Sequence, residues 1–142
     1  MYERLTLSLE DARVAMNAML DATKRVCKRS VVIAIVDHRG GLMHYARQDE
    51  GFVFSSDVAI RKAYTAAMGR LESSAFSATY AKYGRTLEDA VGPQASSGTG
   101  GVPILTTEGV CLGGIGVSGD SFDGDVAIGR IGVEAMGLKW KI

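Results

Sequence analysis

The sequence predicts an α+β domain in which helices cover one antiparallel sheet. Three observations carry that expectation. An amphipathic helical pattern opens at Leu9, the apolar run Val31–Val36 turns back through Asp37-His38-Arg39-Gly40-Gly41, and two further apolar runs within Gly100–Gly119 meet at Glu108-Gly109. Between the two hairpins lie only helical patterns, and one more closes the chain. The expected order is therefore helix, two strands, two or three helices, two strands, helix. At 142 residues the chain fits a single domain, 1–142, long enough to bury roughly 70% of its unfolded surface without a disulfide or metal staple.

Ser8 with Asp11 three residues on is a capping-box start, and Leu9, Ala12, Met16, Met19, Leu20 and Val26 follow at three- and four-residue steps, giving a helix of about five turns. Lys24, Arg25, Lys28 and Arg29 gather at its end, where cations complement the helix dipole. Val31–Val36 is β-branched and apolar on both alternating faces, as in a strand covered on both sides. Leu42 to Arg47 reads as the return strand, with Leu42, His44 and Ala46 on one face and Met43, Tyr45 and Arg47 on the other. Ser55 or Ser56 is the expected cap of a second helix running to about Gly69, whose Val58, Ala59, Ala63, Ala66 and Ala67 form a small-residue face.

A shorter helix is expected from Ser73 to Tyr83, ending at Gly84, and one more turn over Thr86–Val91. Gln94–Gly101 is rich in Ser and Gly and reads as a mobile surface loop, a candidate lid over a ligand. After the second hairpin, Ser121–Leu138 reads as a helix with Val126, Gly129, Val133, Met136 and Gly137 on one face. Gly129, Gly132 and Gly137 each weaken it by about 1 kcal/mol relative to alanine, which implies close packing against the sheet or a second subunit.

Sixteen basic and sixteen acidic residues balance, so nothing directs the chain to nucleic acid or to an anionic membrane. Neutrality permits self-association. The longest apolar run is far shorter than the ~20 residues of a membrane span, and Met1-Tyr2-Glu3-Arg4 does not begin a leader pattern, so a cytoplasmic location is expected. Cys27 and Cys111 lack C-x-x-C spacing and read as reduced packing residues.

Gly114-Ile115-Gly116-Val117-Ser118-Gly119 fits the spacing G-x-G-x-x-G. A dinucleotide fold needs a parallel strand-helix-strand unit with an acidic residue about 20 positions on, and 23 residues follow Gly119, so the match is a coincidence of spacing. The glycines instead mark something lying close on the strand: a helix, a subunit or a ligand. Ser118-Gly119-Asp120 at a helix entrance offers backbone donors to an anion such as a carboxylate.

His38 and His44 are the only histidines, and no Cys/His spacing accompanies them, so no metal site is expected. A lone His, Tyr or Met can ligate haem iron, which leaves His44, Tyr45 and Met43 as candidate axial ligands. Arg47 is a candidate partner for a carboxylate or haem propionate. Lys62 and Thr65, about one turn apart, are candidates to face a pocket beside the sheet. No Ser, His and Asp arrangement indicates a catalytic triad.

Arg47-x-Asp49, Lys62-Ala63-Tyr64-Thr65-Ala66-Ala67, Gly100-Gly101-Val102-Pro103-Ile104 and Gly114–Gly119 with Asp125 together resemble the GlcG/HbpS family. The likeness extends to Leu5-Thr6-Leu7-Ser8 and Val36-Asp37-x-x-Gly40 and covers nearly the whole chain. That group includes a glycolate-operon protein, a haem-binding and haem-degrading bacterial protein, and the C-terminal domain of some corrinoid adenosyltransferases. The resemblance implies a profilin-like α/β/α sandwich, usually a homo-oligomer, with a haem or small-molecule pocket between sheet and helices. Where many members read R-M-D-G-A, this chain has Arg47-Gln48-Asp49-Glu50-Gly51, so the ligand can differ.

The resulting expectation is an oligomeric binding protein for haem or a small oxygenated carboxylic acid. Arg47, Thr65, Gly100, Gly101, Gly116, Ser118 and Gly119 would contact the ligand, with the hairpin glycines flooring the pocket. The alternative is a cofactor-independent lyase or isomerase acting on a small carboxylate in a catabolic pathway, with Lys62 or Asp49 as acid/base and Arg47 as anchor.

Overall fold

The computed structural model covers residues 1–142. Helix α1 is Leu9–Val26, strands β1 and β2 are Val32–Asp37 and Leu42–Arg47, helices α2, α3 and α4 are Val53–Gly69, Ser73–Ala81 and Leu87–Val91, strands β3 and β4 are Gly101–Leu105 and Cys111–Ser118, and helix α5 is Phe122–Ala135. The strands form one antiparallel sheet in the order β2-β1-β4-β3. Helices α1 and α5 cover one face, and α2 covers the other. The domain is thus an α+β sandwich of three layers.

The first face holds the larger core. Ile33, Ile35, Ile115 and Val117 from the sheet pack with Met16 and Met19 of α1 and Ile128 and Val133 of α5, all essentially without exposure. Burial of each such side chain contributes about 1.5–3 kcal/mol. Gly129 and Gly132 of α5 lie against Val102 and Met19, where a methyl group would press on both neighbours. Close packing within the chain thus explains these two glycines. Gly137 lies beyond the helix at φ +70°; it ends α5 rather than belonging to its apolar face.

The opposite face is thinner. Val32, Ala34 and Val36 meet Ala59, Ala63 and Ala67 of α2. Small side chains bring this helix down onto β4 until backbone touches backbone: a methyl group on Gly116 would overlap the Ala59 carbonyl oxygen, and one on Gly114 that of Ala63.

Local expectations change at the ends of α2 and α3. The capping box at Ser8 forms as expected, but α2 starts at Val53 behind Phe52 with no side-chain cap, and Ser55 is buried inside its first turn. Glu50 at φ +66° makes the turn that sets this start. Helix α3 stops at Ala81, short of Tyr83.

On β2, the pairings Ile35↔His44 and Val36↔Leu42 leave Met43 as an extra residue in a bulge. The bulge breaks alternation. Leu42 therefore joins Tyr45 and Arg47 on the α2 face, while Met43 packs with the α1/α5 core.

Candidate functional site

Lys62 sits mid-way along α2 on its buried side. Its Nζ donates to the Val117 carbonyl oxygen at 2.8 Å and to Asp125 Oδ2 at 3.3 Å. The two side chains are 5% and 3% exposed. Asp125 lies in the first turn of α5, and its other oxygen accepts the Asp120 N–H at 3.0 Å. Burial pushes the Lys62 ammonium pKa down, opposed by the Asp125 charge and hydrogen bond. It pushes the Asp125 carboxyl up, opposed chiefly by Lys62. Each partner thus opposes the loss of charge that burial favours in the other.

The stretch Gln94–Gly101 closes over this pair. It is tied down rather than free: Ser73 Oγ donates to the Gly98 carbonyl at 2.6 Å and accepts the Gly101 N–H at 3.0 Å, and Ser96 N–H donates to Thr65 Oγ1 at 2.9 Å. Ala95 is buried with Phe76 and Leu87. Thr65 itself donates to the Arg61 carbonyl, so its hydroxyl serves the loop and its own helix. Gly100, at φ +124°, leaves room for the ammonium; a methyl group there would lie 3.0 Å from Lys62 Nζ. A methyl group on Gly101 would overlap the Lys62 carbonyl.

These contacts change the reading of the hairpin glycines. Above Gly116 there is helix backbone, not space, so the expected pocket floor is filled by α2 in this chain. Gly119 abuts the Ser30 carbonyl, and Ser118, 7% exposed, ends the buried strand.

The helix entrance is likewise satisfied internally. Ser121 Oγ accepts the Gly124 N–H, and Asp120 accepts the N–H groups of Lys28 and Arg29 at 3.0 Å each. Desolvation alone would raise the Asp120 carboxyl, but the hydrogen bonds from Lys28, Ser121 and Arg29 together outweigh it and hold the group below the usual carboxylate range. The chain's own carboxylates thus occupy the position read as an anion site.

A second locus lies where β2 meets the start of α2. Tyr45 Oη and Ser56 Oγ are 2.6 Å apart, and Arg47 Nη1 donates to the Gly51 carbonyl at 2.9 Å. Phe52 and Phe54 follow directly, 65% and 67% exposed, with stacked rings 5.2 Å between centroids. The turn from β2 into α2 therefore carries a phenol hydroxyl, a guanidinium and two exposed aromatic rings. His44 projects to the other face of the sheet, half-buried on the α1/α5 side, so His44 and Tyr45 cannot serve one pocket from two sides.

Asp49 stands in the turn before α2; its backbone carbonyl accepts Ser30 Oγ at 2.6 Å, and its side chain is exposed. The structure brings neither Asp49 nor Arg47 to Lys62. Arg47 pairs across β1 with the row ending at Ser118, two strand spacings or about 10 Å from β4, and its side chain turns to Gly51. The carboxylate beside Lys62 is instead Asp125, which the sequence placed in the family pattern without a role. Periodicity does not single out Phe52 and Phe54; two phenylalanines within three residues beside a turn are the available signal. No group of three or more His, Cys, Asp or Glu is arranged to hold a metal, and no helix is long and apolar enough to cross a membrane.

A family model described as haem degrading protein HbpS-like matches residues 7–134. An uncharacterized 15.0 kDa protein of Citrobacter freundii, encoded in the dhaT-dhaS intergenic region, is 32% identical over 108 residues, covering 67% of this chain and 68% of that one. The crystal structure of a double mutant of HbpS from Streptomyces reticuli superposes with a TM-score of 0.82 at 32% identity over 94% of this chain and 89% of that one. A PduOC:heme complex has the same fold at 24% identity, with a TM-score of 0.82 over 97% of this chain and 100% of that one. The residues quoted for the resemblance, the sandwich they build and the match over nearly the whole length agree: the chain belongs to the HbpS-like family.

Proposed function

We propose that this chain is a haem-binding protein that holds haem at the β2–α2 corner, with Tyr45 as the axial ligand and Arg47 as partner to a propionate. The carrying observation is that the Tyr45 hydroxyl, Arg47 and the stacked Phe52–Phe54 pair share one exposed corner. The family description and the haem complex of PduOC support the choice of ligand. Tyrosine is an established haem ligand, and a guanidinium suits a carboxylate better than an ammonium does. Ser56 Oγ, 2.6 Å from the phenol oxygen, is placed to donate to a phenolate. Bound haem would supply iron-centred chemistry; the chain supplies the ligand atom, the counter-charge and an apolar wall.

Assembly into a homo-oligomer belongs to the same reading. Exposed Leu9 and Val14 on α1 and Phe122 at the start of α5 supply apolar surface on which copies can meet, and sedimentation or native mass measurement tests it, a stable monomer counting against it. The alternative of a lyase acting through Lys62 draws on that residue's burial-lowered pKa. Its ammonium, however, is closed in by Val117, Asp125 and the loop at Gly98–Gly100, so the haem reading is better supported. Titration with hemin tests it: a saturable shift of the Soret band is expected, and a shift that grows without saturation would overturn it.

A further inference from the structure

At the end of the sheet marked by Leu105, the segment after α5 folds back on edge strand β3. Leu105 and Lys139 exchange two backbone hydrogen bonds of 2.8 Å each. The fold-back borders a half-open cavity of about 410 Å³ between the C-terminal end of α2 and Trp140. A second cavity, of about 490 Å³, shares Trp140 and Lys141 with it, so open space flanks the indole.

The lining of the first cavity combines apolar walls with cations. Leu71, Leu105 and Trp140 supply the walls; Arg70, Arg130 and Lys141 supply the charge. Arg130 is already paired. It makes a bidentate pair with Glu72, both bonds 2.8 Å, and its guanidinium lies 4.0 Å over the Trp140 ring. Glu72 is thereby spent. Arg70 and Lys141 form no ion pair. Arg70 moreover occupies the left-handed cap of α2 at φ +56°, where an unstrained chain would carry glycine or asparagine.

We infer that this cavity binds a small amphipathic carboxylate, a medium-chain aliphatic or aryl acid. Its apolar part lies between Leu71, Leu105 and Trp140, and its carboxylate meets Arg70 and Lys141. The volume falls in the range of small-molecule sites, which are mostly apolar with a few placed polar groups. The unpaired charges select an anion. The site is separate from the Tyr45 corner, because β3 and β2 are opposite edges of the sheet and Leu105 lies at the opposite end from the Arg47–Val32–Ser118 row.

Trp140 is the only tryptophan, so its emission reports on the space beside its indole, and dependence on Arg70, which lines the first cavity and not the second, ties the signal to this site. Full-length protein titrated with sodium octanoate is expected to show a saturable change in emission, matched by calorimetry. Affinity should fall by about tenfold or more in Arg70→Asn/Lys141→Gln, since both charge-assisted contacts to the carboxylate are lost, and octan-1-ol should bind at least as weakly to the unaltered protein. Both substituted residues are exposed, and asparagine tolerates the left-handed backbone, so the variant should fold. Tyr45→Phe should bind octanoate as the unaltered protein does. Absence of both an emission change and heat, octanol binding as tight as octanoate, or unaltered affinity in the double variant would overturn the assignment.

Discussion

Lys62 of α2 and Asp125 of α5 form a buried ion pair, Nζ to Oδ2 3.3 Å, that joins helices on opposite faces of the sheet past the end of β4. Removing one partner leaves an unpaired buried charge, which costs about 3–5 kcal/mol. Lys62→Met and Asp125→Asn are each expected to lower unfolding free energy by that order in urea titrations. The Lys62→Met/Asp125→Asn double variant, which keeps an acceptor for Asp120 N–H, should lose much less than the sum. Strict additivity would show that the pair is not coupled.

Gly116 is expected to tolerate no side chain, because the Ala59 carbonyl occupies the position of its Cβ. Gly116→Ala should destabilise by about 1–3 kcal/mol or more, read as a lowered urea midpoint. Gly84→Ala, with no atom within 4 Å of the added methyl group, should show only the smaller strain of a left-handed backbone at φ +68°.

The Asp120 carboxyl titrates below its ordinary value of 3.8 in the folded chain. As pH falls, the unfolded chain takes up the proton first, so this group's stabilising contribution is full above about pH 4 and disappears as pH drops through the lowered native value. Asp120→Asn should therefore show its largest stability deficit at neutral pH, with the gap to the unaltered protein closing below about pH 4. A pH-independent gap would contradict this role.

Burial, followed by the charges of Asp120 and Asp125, raises the Cys27 thiol from 9.0 to about 11. At pH 8 its thiolate fraction is then about a hundredfold below that of an ordinary thiol. Alkylation of Cys27 by iodoacetamide should be slower by about that factor and should quicken in Asp120→Asn. A rate equal to that of a model thiol would contradict the assignment.

Where periodic patterns and local caps decide the structure, the sequence was legible. The Ser8 capping box, the order of elements and the antiparallel hairpin at Gly109 all follow from neighbouring residues. What escaped depends on one-residue slips or distant partners. Met43 is absorbed by a bulge that alternation cannot show, so Leu42 exchanges faces. Lys62 was visible by its spacing, but Asp125 is 63 residues away and meets it only through the sheet. Gln94–Gly101 reads as a free loop by composition, yet Ser73 and Thr65 hold it with hydrogen bonds. Phe52 and Phe54 have no periodic signature because they pack against no core; their exposure follows from where α2 starts.

Tyrosine ligation at the β2–α2 corner is the central claim, and paired hemin titrations of Tyr45→Phe and His44→Ala test it most directly. Tyr45→Phe removes only the ligating oxygen, whereas His44 points to the other side of the sheet. With Tyr45 as the ligand, the Soret band of the ferric complex changes position and affinity falls at least about tenfold in Tyr45→Phe, while His44→Ala matches the unaltered protein. A Tyr45→Phe complex spectrally identical to the unaltered one, or loss of the band in His44→Ala, would contradict the claim.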